Sequence, residues 1–366
     1  MTFYNLKKQY DNFDFDEFSN SVECLDIEKI LQKDSLSATD FLSLLTPKAL
    51  VFVEQMAQKA HEISVRQFGK NIILYAPLYV SNFCINNCVY CGFSTTNNIK
   101  REILTFEEIE QNCKVICEYG IRHILLVCGE SPEKTSLDYL EKCILVLKKY
   151  FECIDIEIYP LDVKGYEKLQ SAGAEGLTIY QETYDKKLYK TLHTKGAKSN
   201  YEYRLETCQR AGLANFRNLN VGTLLGLNDF ISEIFFTGLH AKYLQDFFPS
   251  CEIGMSFPRL RPTISHYQPK TQISDKKLVQ AICAVRLFIN RINITVSTRE
   301  SNEFRKKLVP LGITKMSAAS RVEVGGYTKN YGDGQFKVND TTTVNEVKEM
   351  IYKAGYQPVL KDWMIL

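Results

Sequence analysis

From about residue 71 onward, short runs of β-branched and apolar residues alternate with segments whose apolar positions recur every three or four residues. The short runs predict strands, and the segments between them predict helices. The predicted strands cover residues 71–80, 123–129, 155–160, 176–181, 216–227, 251–260, 292–298 and 314–320. Alternation of this kind is typical of an α/β protein with a parallel sheet.

The segment between the first two strands shows how a helix is predicted. Its apolar residues fall on one face at helical spacing. Thr105 and Glu108 have the spacing of a capping box, and Gly120 stands where a helix would end. The pattern therefore predicts a helix over residues 105–119.

Eight β/α units predict a (β/α)8 barrel, the TIM-barrel fold, over residues 71–320. Residues 1–70 are predicted to form a helical N-terminal extension. Residues 321–366 are predicted to form a C-terminal extension with a last helix. In such a barrel, the active site forms at the C-terminal ends of the strands and the loops that follow them. Candidate chemistry is therefore expected directly after each strand.

Charge and cysteine usage narrow the class of function. Lys and Arg number 45 against 43 Asp and Glu, so the net charge of +2 gives no reason to expect nucleic acid or a membrane surface as a partner. No run approaches the roughly 18 apolar residues of a membrane helix, and the first residues lack the basic and apolar segments of a secretion signal. We therefore expect a cytoplasmic protein whose twelve cysteines serve metal binding, catalysis or burial.

Three cysteines follow the first predicted strand in a single loop. Cys84, Cys88 and Cys91 form the spacing C-x3-C-x2-C. Structural zinc takes four ligands, and the sequence near this loop offers no fourth cysteine or histidine. Three thiolates in one loop instead imply a [4Fe–4S] cluster with one iron left open for a cofactor or substrate. A zinc-binding interaction domain without enzymatic activity is the alternative from a different class.

A C-x3-C-x-aromatic-C loop after the first barrel strand resembles the radical S-adenosylmethionine (SAM) superfamily, with Tyr90 as the aromatic residue. The resemblance implies that the open iron chelates SAM and that an electron from the cluster splits SAM into methionine and a 5′-deoxyadenosyl radical. It also implies that Tyr90 packs near the adenine, whereas ordinary packing at the rim is the alternative. Because such a radical is quenched by any available hydrogen, a closed barrel suits this chemistry.

The end of the second strand resembles the Gly-Gly-Glu motif of this superfamily. Gly129 and Glu130 match the motif, whereas Cys128 stands in place of its first glycine. The resemblance implies that the Glu130 carboxylate and nearby backbone bind the amino group of SAM. A simple turn with Glu130 in solvent is the alternative.

Two later strand ends also resemble SAM-binding segments. Glu182 follows the fourth strand, Arg204 comes further along the chain, and Gly222 lies in the fifth strand. The resemblance implies that Glu182 and Arg204 hold the ribose hydroxyls and the carboxylate of SAM, and that Gly222 lets the backbone approach adenine. An ion pair on a helix surface and a glycine required by a turn are the alternatives.

Across nearly its whole length the chain is similar to the aromatic amino acid lyase branch of the superfamily, the branch of the tyrosine lyases of thiamine thiazole biosynthesis. The matching segments are residues 181–184, 256–262, 297–300, 317–321, 325–327, 335–336 and 355–363. The resemblance implies that the radical takes a hydrogen from the amino group of L-tyrosine and that the Cα–Cβ bond then breaks. The products would be 2-iminoacetate and p-cresol.

The nearest alternative is the tyrosine lyase of [FeFe]-hydrogenase maturation, which carries a second cluster on cysteines of its C-terminal extension. The last cysteine of this sequence is Cys283, so the reaction is expected to stop at the imine. A lyase of another aromatic amino acid is a further alternative.

Bound tyrosine needs a cation for its carboxylate and an acceptor for an amine proton. Arg299, at the end of the seventh strand, is predicted to bind the carboxylate, with Glu300 and Ser317 as neighbours that could assist. Arg259 and Arg261 are alternative cations, and an ion pair between Arg299 and Glu300 is the structural alternative. The resemblance implies thiazole synthase as the acceptor of the imine and a reductant such as flavodoxin or ferredoxin.

Overall fold

The eight strands predicted from the sequence form a closed parallel barrel, which confirms the (β/α)8 fold. The computed structural model describes residues 2–329 and 332–361. In chain order the barrel strands are β1 Asn71–Ser81, β2 His123–Cys128, β3 Cys153–Glu157, β4 Gly176–Glu182, β5 Asn218–Thr223, β6 Glu252–Ser256, β7 Asn293–Val296 and β8 Lys315–Ser317. Each strand pairs with the next, and β8 closes the barrel on β1 with Ile73 opposite Lys315.

The α-helices surround the barrel. They are Phe3–Lys7, Phe15–Ser21, Cys24–Leu31, Ala38–Leu44, Val53–Phe68, Phe106–Glu118, Leu137–Leu147, Val163–Ala172, Lys186–Leu192, Tyr201–Leu205, Thr207–Leu213, Phe230–Phe247, Asp275–Phe288, Asn302–Leu308 and Val344–Lys353. Short 3-10 helices lie at Lys8–Tyr10, Pro47–Phe52, Ala197–Ser199 and Val309–Leu311. Among the described residues, no helix is both long and apolar enough to cross a membrane.

The helix that follows β1 begins and ends as its sequence predicts. It covers Phe106–Glu118, and Thr105 and Glu108 each accept a hydrogen bond from the backbone N–H of the other. Gly120 has a φ of +83°, a value that glycine adopts without a steric penalty. Local capping chemistry therefore sets both ends of this helix.

Three short strands were not predicted. Gln357–Val359, here β9, pairs with the first residues of β1, and Asn87–Cys88 forms an antiparallel ribbon with His193–Lys195. Strands of two or three residues are too short to produce a period in the sequence. The segments predicted at 216–227 and 251–260 both leave the barrel earlier than expected, but Leu225 still donates its N–H to the Pro258 carbonyl at 2.8 Å.

The N-terminal end of the barrel is lined by paired charges. Lys315 donates to the Asp155 carboxylate at 2.7 Å, and His123 lies 2.8 Å from the same oxygen. Burial raises the pKa of Asp155, but Lys315 and His123 outweigh burial and hold this pKa well below its usual range. These charges therefore compensate one another within the barrel.

The segment after β8 crosses the C-terminal end of the barrel. The Gly325 N–H donates to the Tyr79 carbonyl at 3.0 Å. Further along, Arg305 forms an ion pair with Asp340, and both side chains are fully buried. This pair fixes the crossing segment to the helix after β7. The domain boundaries drawn at residues 70 and 320 stay predictions, and residues 362–366 of the predicted C-terminal extension lie outside the described residues.

Candidate active site

The three-cysteine loop begins where β1 ends and is held by segments distant in sequence. The backbone of Cys88 pairs with His193 in the short ribbon. The Gly92 N–H donates to the Gln335 carbonyl at 3.1 Å. A Cβ added at Gly92 would lie 2.5 Å from that carbonyl oxygen, so only glycine permits this contact. Gln335 also accepts a hydrogen bond from the Tyr79 hydroxyl at 2.9 Å through its side-chain oxygen.

The thiols of this loop are poorly hydrated and near enough to influence one another electrostatically. Burial is the main cause that raises the pKa of Cys88 to about 12; Lys198 opposes it, and Cys91 and Cys84 add to it. Burial likewise raises the pKa of Cys91. A metal ligand must be a thiolate, and a bound metal supplies the positive charge that stabilises one. Three adjacent thiols therefore fit an iron–sulfur cluster.

His193 lies beside the loop, although no histidine lies near the loop in sequence. Its Nε2 lies 2.7 Å from the Tyr90 hydroxyl, and its Nδ1 lies 2.8 Å from the Tyr189 carbonyl. Nδ1 therefore donates, and Nε2 accepts from Tyr90. Burial and Lys198 lower the pKa of His193 to about 3, so the ring is neutral. Because both ring nitrogens are engaged, His193 does not complete a four-ligand zinc site.

Gly129 brings the end of β2 against the cysteine loop. Its N–H donates to the Ser81 carbonyl at 2.9 Å, and a Cβ added to it would lie 2.4 Å from the Phe83 carbonyl oxygen. The adjacent Cys128 packs instead against the helix layer, where burial raises the pKa of its thiol. The glycine that matched the motif is thus required for close approach of two backbones.

Glu130 is buried, which contradicts the alternative of a simple turn with this side chain in solvent. It is 9% exposed, and its carboxylate accepts a hydrogen bond from the Asn86 amide at 2.5 Å. Asn86 in turn accepts from the Lys198 backbone N–H at 2.9 Å. Asn86 therefore joins the end of β2 to the segment after the ribbon, beneath the cysteine loop.

A cavity of about 500 Å³ opens at this end of the barrel and reaches the cysteine loop. Its wall carries a thiol, three cationic side chains, two carboxylates, two phenols and several apolar groups. The lining residues are Tyr90, Cys91, Glu157, Tyr180, Glu182, Lys198, Leu224, Pro258, Leu260, Arg261, Thr263, Arg299, Gln335 and Phe336. Tyr90, Cys91, Glu182 and Arg299 are predicted site residues from three separate parts of the chain, and the fold brings them together.

Glu182 occupies a strained position in the cavity wall. Its φ is +72°, which is uncommon for a residue other than glycine, and the register of β4 shifts here. Its carboxylate lies 2.5 Å from Lys198 and 3.7 Å from Arg204. Burial raises the pKa of Glu182, but the two cations outweigh burial and keep it lowered. Arg204 is 9% exposed and also donates to the Tyr180 carbonyl. Its interaction with Glu182 is therefore not an ion pair on a helix surface.

Gly222 of β5 permits a packing contact inside the barrel. A Cβ there would lie 2.5 Å from the Tyr180 ring and 2.8 Å from the Ser256 carbonyl oxygen. The position is therefore closed to any larger residue because of its neighbours on β4 and β6. Its predicted contact with adenine stays a prediction.

Arg299 faces the cavity with its charge uncompensated by a direct partner. Its guanidinium carbon lies 3.5 Å from the centre of the Phe336 ring. Within the described part of the chain, no carboxylate lies within 4.0 Å of its nitrogens. The ion pair between Arg299 and Glu300, which was the structural alternative, does not form, because Glu300 pairs with Arg259 and lies 3.1 Å from Arg261.

Glu300 and Ser317 lie beside the cavity and do not form its wall. Glu300 is 2% exposed and lines a neighbouring cavity of about 320 Å³. The Ser317 hydroxyl is engaged by the backbone N–H of Thr298 at 3.1 Å and by the hydroxyl of Ser320 at 3.0 Å. The catalytic assistance predicted for these two residues stays a prediction.

Four residues of the site were missed by sequence reasoning: Asn86, Glu157, Lys198 and Gln335. Glu157 is the last residue of β3, so the rule that strand ends carry the site could have found it. Asn86 lies between two of the cysteines, which also marks it. Lys198 and Gln335 lie far in sequence from any end of a barrel strand. Residues 335–336 belong to a segment that resembles the lyase branch, but no local pattern indicates a site role for either residue.

Comparison with known proteins places this geometry among characterised families. Residues 78–235 match the family model described as the radical SAM superfamily, and residues 256–357 match the biotin and thiamin synthesis associated domain. The chain is 36% identical to 2-iminoacetate synthase of Escherichia coli strain K12 over 99% of this chain and 97% of that protein. The corresponding protein of Salmonella typhimurium is also 36% identical over 94% of this chain and 92% of its own.

Solved structures show the same fold. The [FeFe]-hydrogenase maturase HydG from Carboxydothermus hydrogenoformans superimposes with a TM-score of 0.85 at 32% identity, covering 98% of this chain and 82% of that one. Methylornithine synthase superimposes with a TM-score of 0.73 at 20% identity, covering 91% of this chain and 97% of that one. The second likeness concerns the fold alone.

Proposed function

Because the chain belongs to the 2-iminoacetate synthase family of the radical SAM superfamily, we propose that it cleaves the Cα–Cβ bond of L-tyrosine to 2-iminoacetate and p-cresol for thiamine thiazole biosynthesis. It is a carbon–carbon lyase. The observation that carries the proposal is full-length similarity to two such synthases, together with a three-thiol loop that opens onto an enclosed cavity. The solved HydG chain, at 32% identity, is less similar in sequence than either synthase, so a hydrogenase-maturation role is the less supported reading.

The enzyme uses a [4Fe–4S] cluster and SAM. When bound, they supply the carbon radical that starts the cleavage. Cys84, Cys88 and Cys91 would hold the cluster. Glu130 and the Glu182–Lys198–Arg204 group would hold SAM, because a cofactor with an ammonium, a carboxylate and ribose hydroxyls requires both acceptors and cations.

The cavity suits a small amphipathic substrate. Arg299 offers a cation in the wall of the cavity, and a guanidinium pairs with a carboxylate through two parallel hydrogen bonds. Its stacking on Phe336 fixes the plane of the fork. Arg299 therefore binds the carboxylate of tyrosine in our proposal. Enclosure by the barrel and by the segment that contains Gln335 keeps water from the reacting atoms.

The proposal is tested by product analysis of the anaerobically reconstituted enzyme. With SAM, a reductant and L-tyrosine, we expect p-cresol and 5′-deoxyadenosine in equal amounts, and glyoxylate after the imine hydrolyses. L-Tryptophan and L-phenylalanine serve as parallel substrates. Turnover of one of these without p-cresol from tyrosine would assign the enzyme to another aromatic amino acid. About eight irons per chain, instead of about four, would favour the two-cluster maturase.

We further propose an acidic one-electron carrier, such as flavodoxin or ferredoxin, as the reductant. The segment 186–200 holds five lysines and no acidic residue, and the facing segment 83–99 holds no charged residue. Lys187, Lys190 and Lys195, here called the lysine face, are exposed. Lys195 pairs with Asn87, one residue from a cluster ligand. An electron carrier must dock close to the cluster, and positive charge attracts an acidic partner to that position.

Replacing all three lysines of the lysine face by glutamate should slow the activity driven by a reduced flavodoxin by about tenfold or more. Activity driven by dithionite, which needs no docking, should not change. Lys353→Glu, on an exposed helix of the C-terminal extension, is the control and should have no effect with either reductant. Equal flavodoxin rates in the wild type and the triple variant would place the docking surface elsewhere.

The chemistry of the product indicates a further partner. An imine hydrolyses in water, so we propose that the product is transferred directly to thiazole synthase. An excess of thiazole synthase should therefore lower the amount of free glyoxylate. An unchanged amount of glyoxylate would contradict this transfer.

All twelve cysteines are free thiols, which supports a reducing compartment and therefore the cytoplasm.

A further inference from the structure

The charged groups in the wall of the cavity divide into two sets. Glu182 is paired with Lys198, and Arg261 lies 3.1 Å from Glu300. Arg299 and Glu157 differ from these. Within the described residues, neither has an ion-pair partner. The Glu157 side chain makes no hydrogen bond there, and the Arg299 side chain donates only to the Arg259 carbonyl, at 3.4 Å. The cavity therefore presents one uncompensated cation and one uncompensated carboxylate.

Glu157 and Arg299 are placed on opposite sides of the barrel. Glu157 is the last residue of β3, and Arg299 follows the end of β7. Because the closed sheet has eight strands in sequential order, β3 and β7 are four strands apart and face each other across the barrel. Both side chains line the same cavity, and no ion pair joins them.

An unpaired carboxylate inside a barrel is unfavourable unless a ligand compensates it. Burial raises the pKa of Glu157 to about 7, and repulsion from Glu182 adds to burial, while Arg299, Arg204 and Lys198 oppose it. A perturbed carboxyl in a cleft is typical of functional sites. The missing partner of Glu157 is a cation, and that of Arg299 is an anion.

An α-amino acid carries both charges on one carbon. We propose that Glu157 binds the ammonium group of tyrosine and accepts one of its protons, while Arg299 binds the carboxylate. This inference rests on the proposed function and adds the amine-binding residue to it. In the proton transfer, an N–H bond of the ammonium breaks and an O–H bond forms on a Glu157 oxygen. The nitrogen keeps the electron pair and becomes a neutral amine, the form from which the hydrogen is then removed.

Glu300, one of the two neighbours predicted to assist Arg299, is less suited to this step. Its carboxylate is already engaged by Arg259 and Arg261, and it lies outside the wall of the cavity. With its oxygens held by two guanidinium groups, it is not free to accept a hydrogen bond from a ligand in the cavity. Glu157 has no such partner.

The test uses ligands that lack one charge each. Binding is measured by calorimetry on cluster-loaded protein with SAM and without reductant, so that no turnover occurs. L-Tyrosine carries both charges, tyramine lacks the carboxylate, and 3-(4-hydroxyphenyl)propionate lacks the amine. Glu157→Gln preserves the shape of the side chain but removes its charge, and Arg299→Gln removes the opposite charge.

We expect Glu157→Gln to weaken the binding of tyrosine and of tyramine by about 10- to 100-fold, the range for a charge-assisted hydrogen bond. This variant should bind the propionate with unchanged affinity. Arg299→Gln should weaken the binding of tyrosine and of the propionate by a similar factor, and its affinity for tyramine should not change. Glu349→Gln, on the exposed helix Val344–Lys353, should change none of the three.

Three outcomes would overturn the inference. Equal weakening of tyrosine and the propionate by Glu157→Gln would mean that this residue does not contact the amine. Weaker SAM binding in Glu157→Gln, with tyrosine affinity restored at saturating SAM, would assign Glu157 to the cofactor. Unchanged affinity for tyrosine would exclude both roles. Failure of the wild type to form p-cresol would instead refute the proposed function, which this binding test does not use as its readout.

Discussion

Replacing Gly129 by alanine tests how the second strand positions the cysteine loop. A Cβ at this position would lie 2.4 Å from the Phe83 carbonyl oxygen, whereas ordinary contact begins at 3.4 Å. The start of the loop would therefore have to move by roughly 1 Å, and Phe83 directly precedes Cys84, the first ligand. A displacement of about 1 Å in a reacting site can cost about 100-fold in activity. We expect Gly129→Ala to retain less iron and to bind SAM at least tenfold more weakly.

The assay is iron per chain after anaerobic reconstitution, followed by titration with SAM, with the melting temperature as a check on folding. Gly165→Ala is the matched control. It lies in the helix Val163–Ala172, where a Cβ would meet only a carboxylate oxygen of Asp162 at 3.1 Å and other movable side-chain atoms. The control should keep full iron and SAM affinity. If Gly129→Ala also keeps both, the close approach to Phe83 does not position the loop.

Further predictions concern the cluster, the crossing segment and pH. Cys88→Ala should lose the cluster and SAM cleavage, while Cys113→Ala, in the helix layer, should keep about four irons per chain; equal iron in both would contradict the ligand assignment. Asp340→Asn removes the partner of the buried Arg305 and should lower the free energy of unfolding by about 3–5 kcal/mol in urea, and an unchanged midpoint would show that the pair is dispensable. Because the pKa of His193 falls to about 3 on folding, the unfolded chain binds more protons between that pH and its ordinary value of about 6.5. Stability should therefore fall as the pH drops below about 6.5, and a flat urea midpoint from pH 7.5 to 5 would contradict this.

The barrel could be predicted because its determinants are local. Each strand is a short apolar run, and the capping box at Thr105 or the stop at Gly120 acts within one turn of the helix it limits. The ribbon that holds Cys88 could not be predicted, since its partner at His193 is more than 100 residues away and its strands are too short to show a period.

The site was predictable where a single strand end carries the chemistry. Glu182 ends a strand, and the three cysteines, Glu130 and Arg299 lie in the loops that follow strands. Lys198 and Gln335 enter the cavity because the fold brings distant loops over the barrel, which depends on tertiary packing. The pairing of Glu300 with Arg259 instead of Arg299 is likewise a result of packing, because adjacent residues in a loop direct their side chains differently.

Three thiolates should leave one iron of the cluster open to SAM. Electron paramagnetic resonance of the anaerobically reconstituted and reduced protein tests it most directly, by recording the spectrum before and after SAM is added. We predict a [4Fe–4S] signal whose g values change when SAM binds, and the loss of that signal in Cys88→Ala. A signal that SAM does not alter, or a colourless protein that contains zinc, would contradict the account.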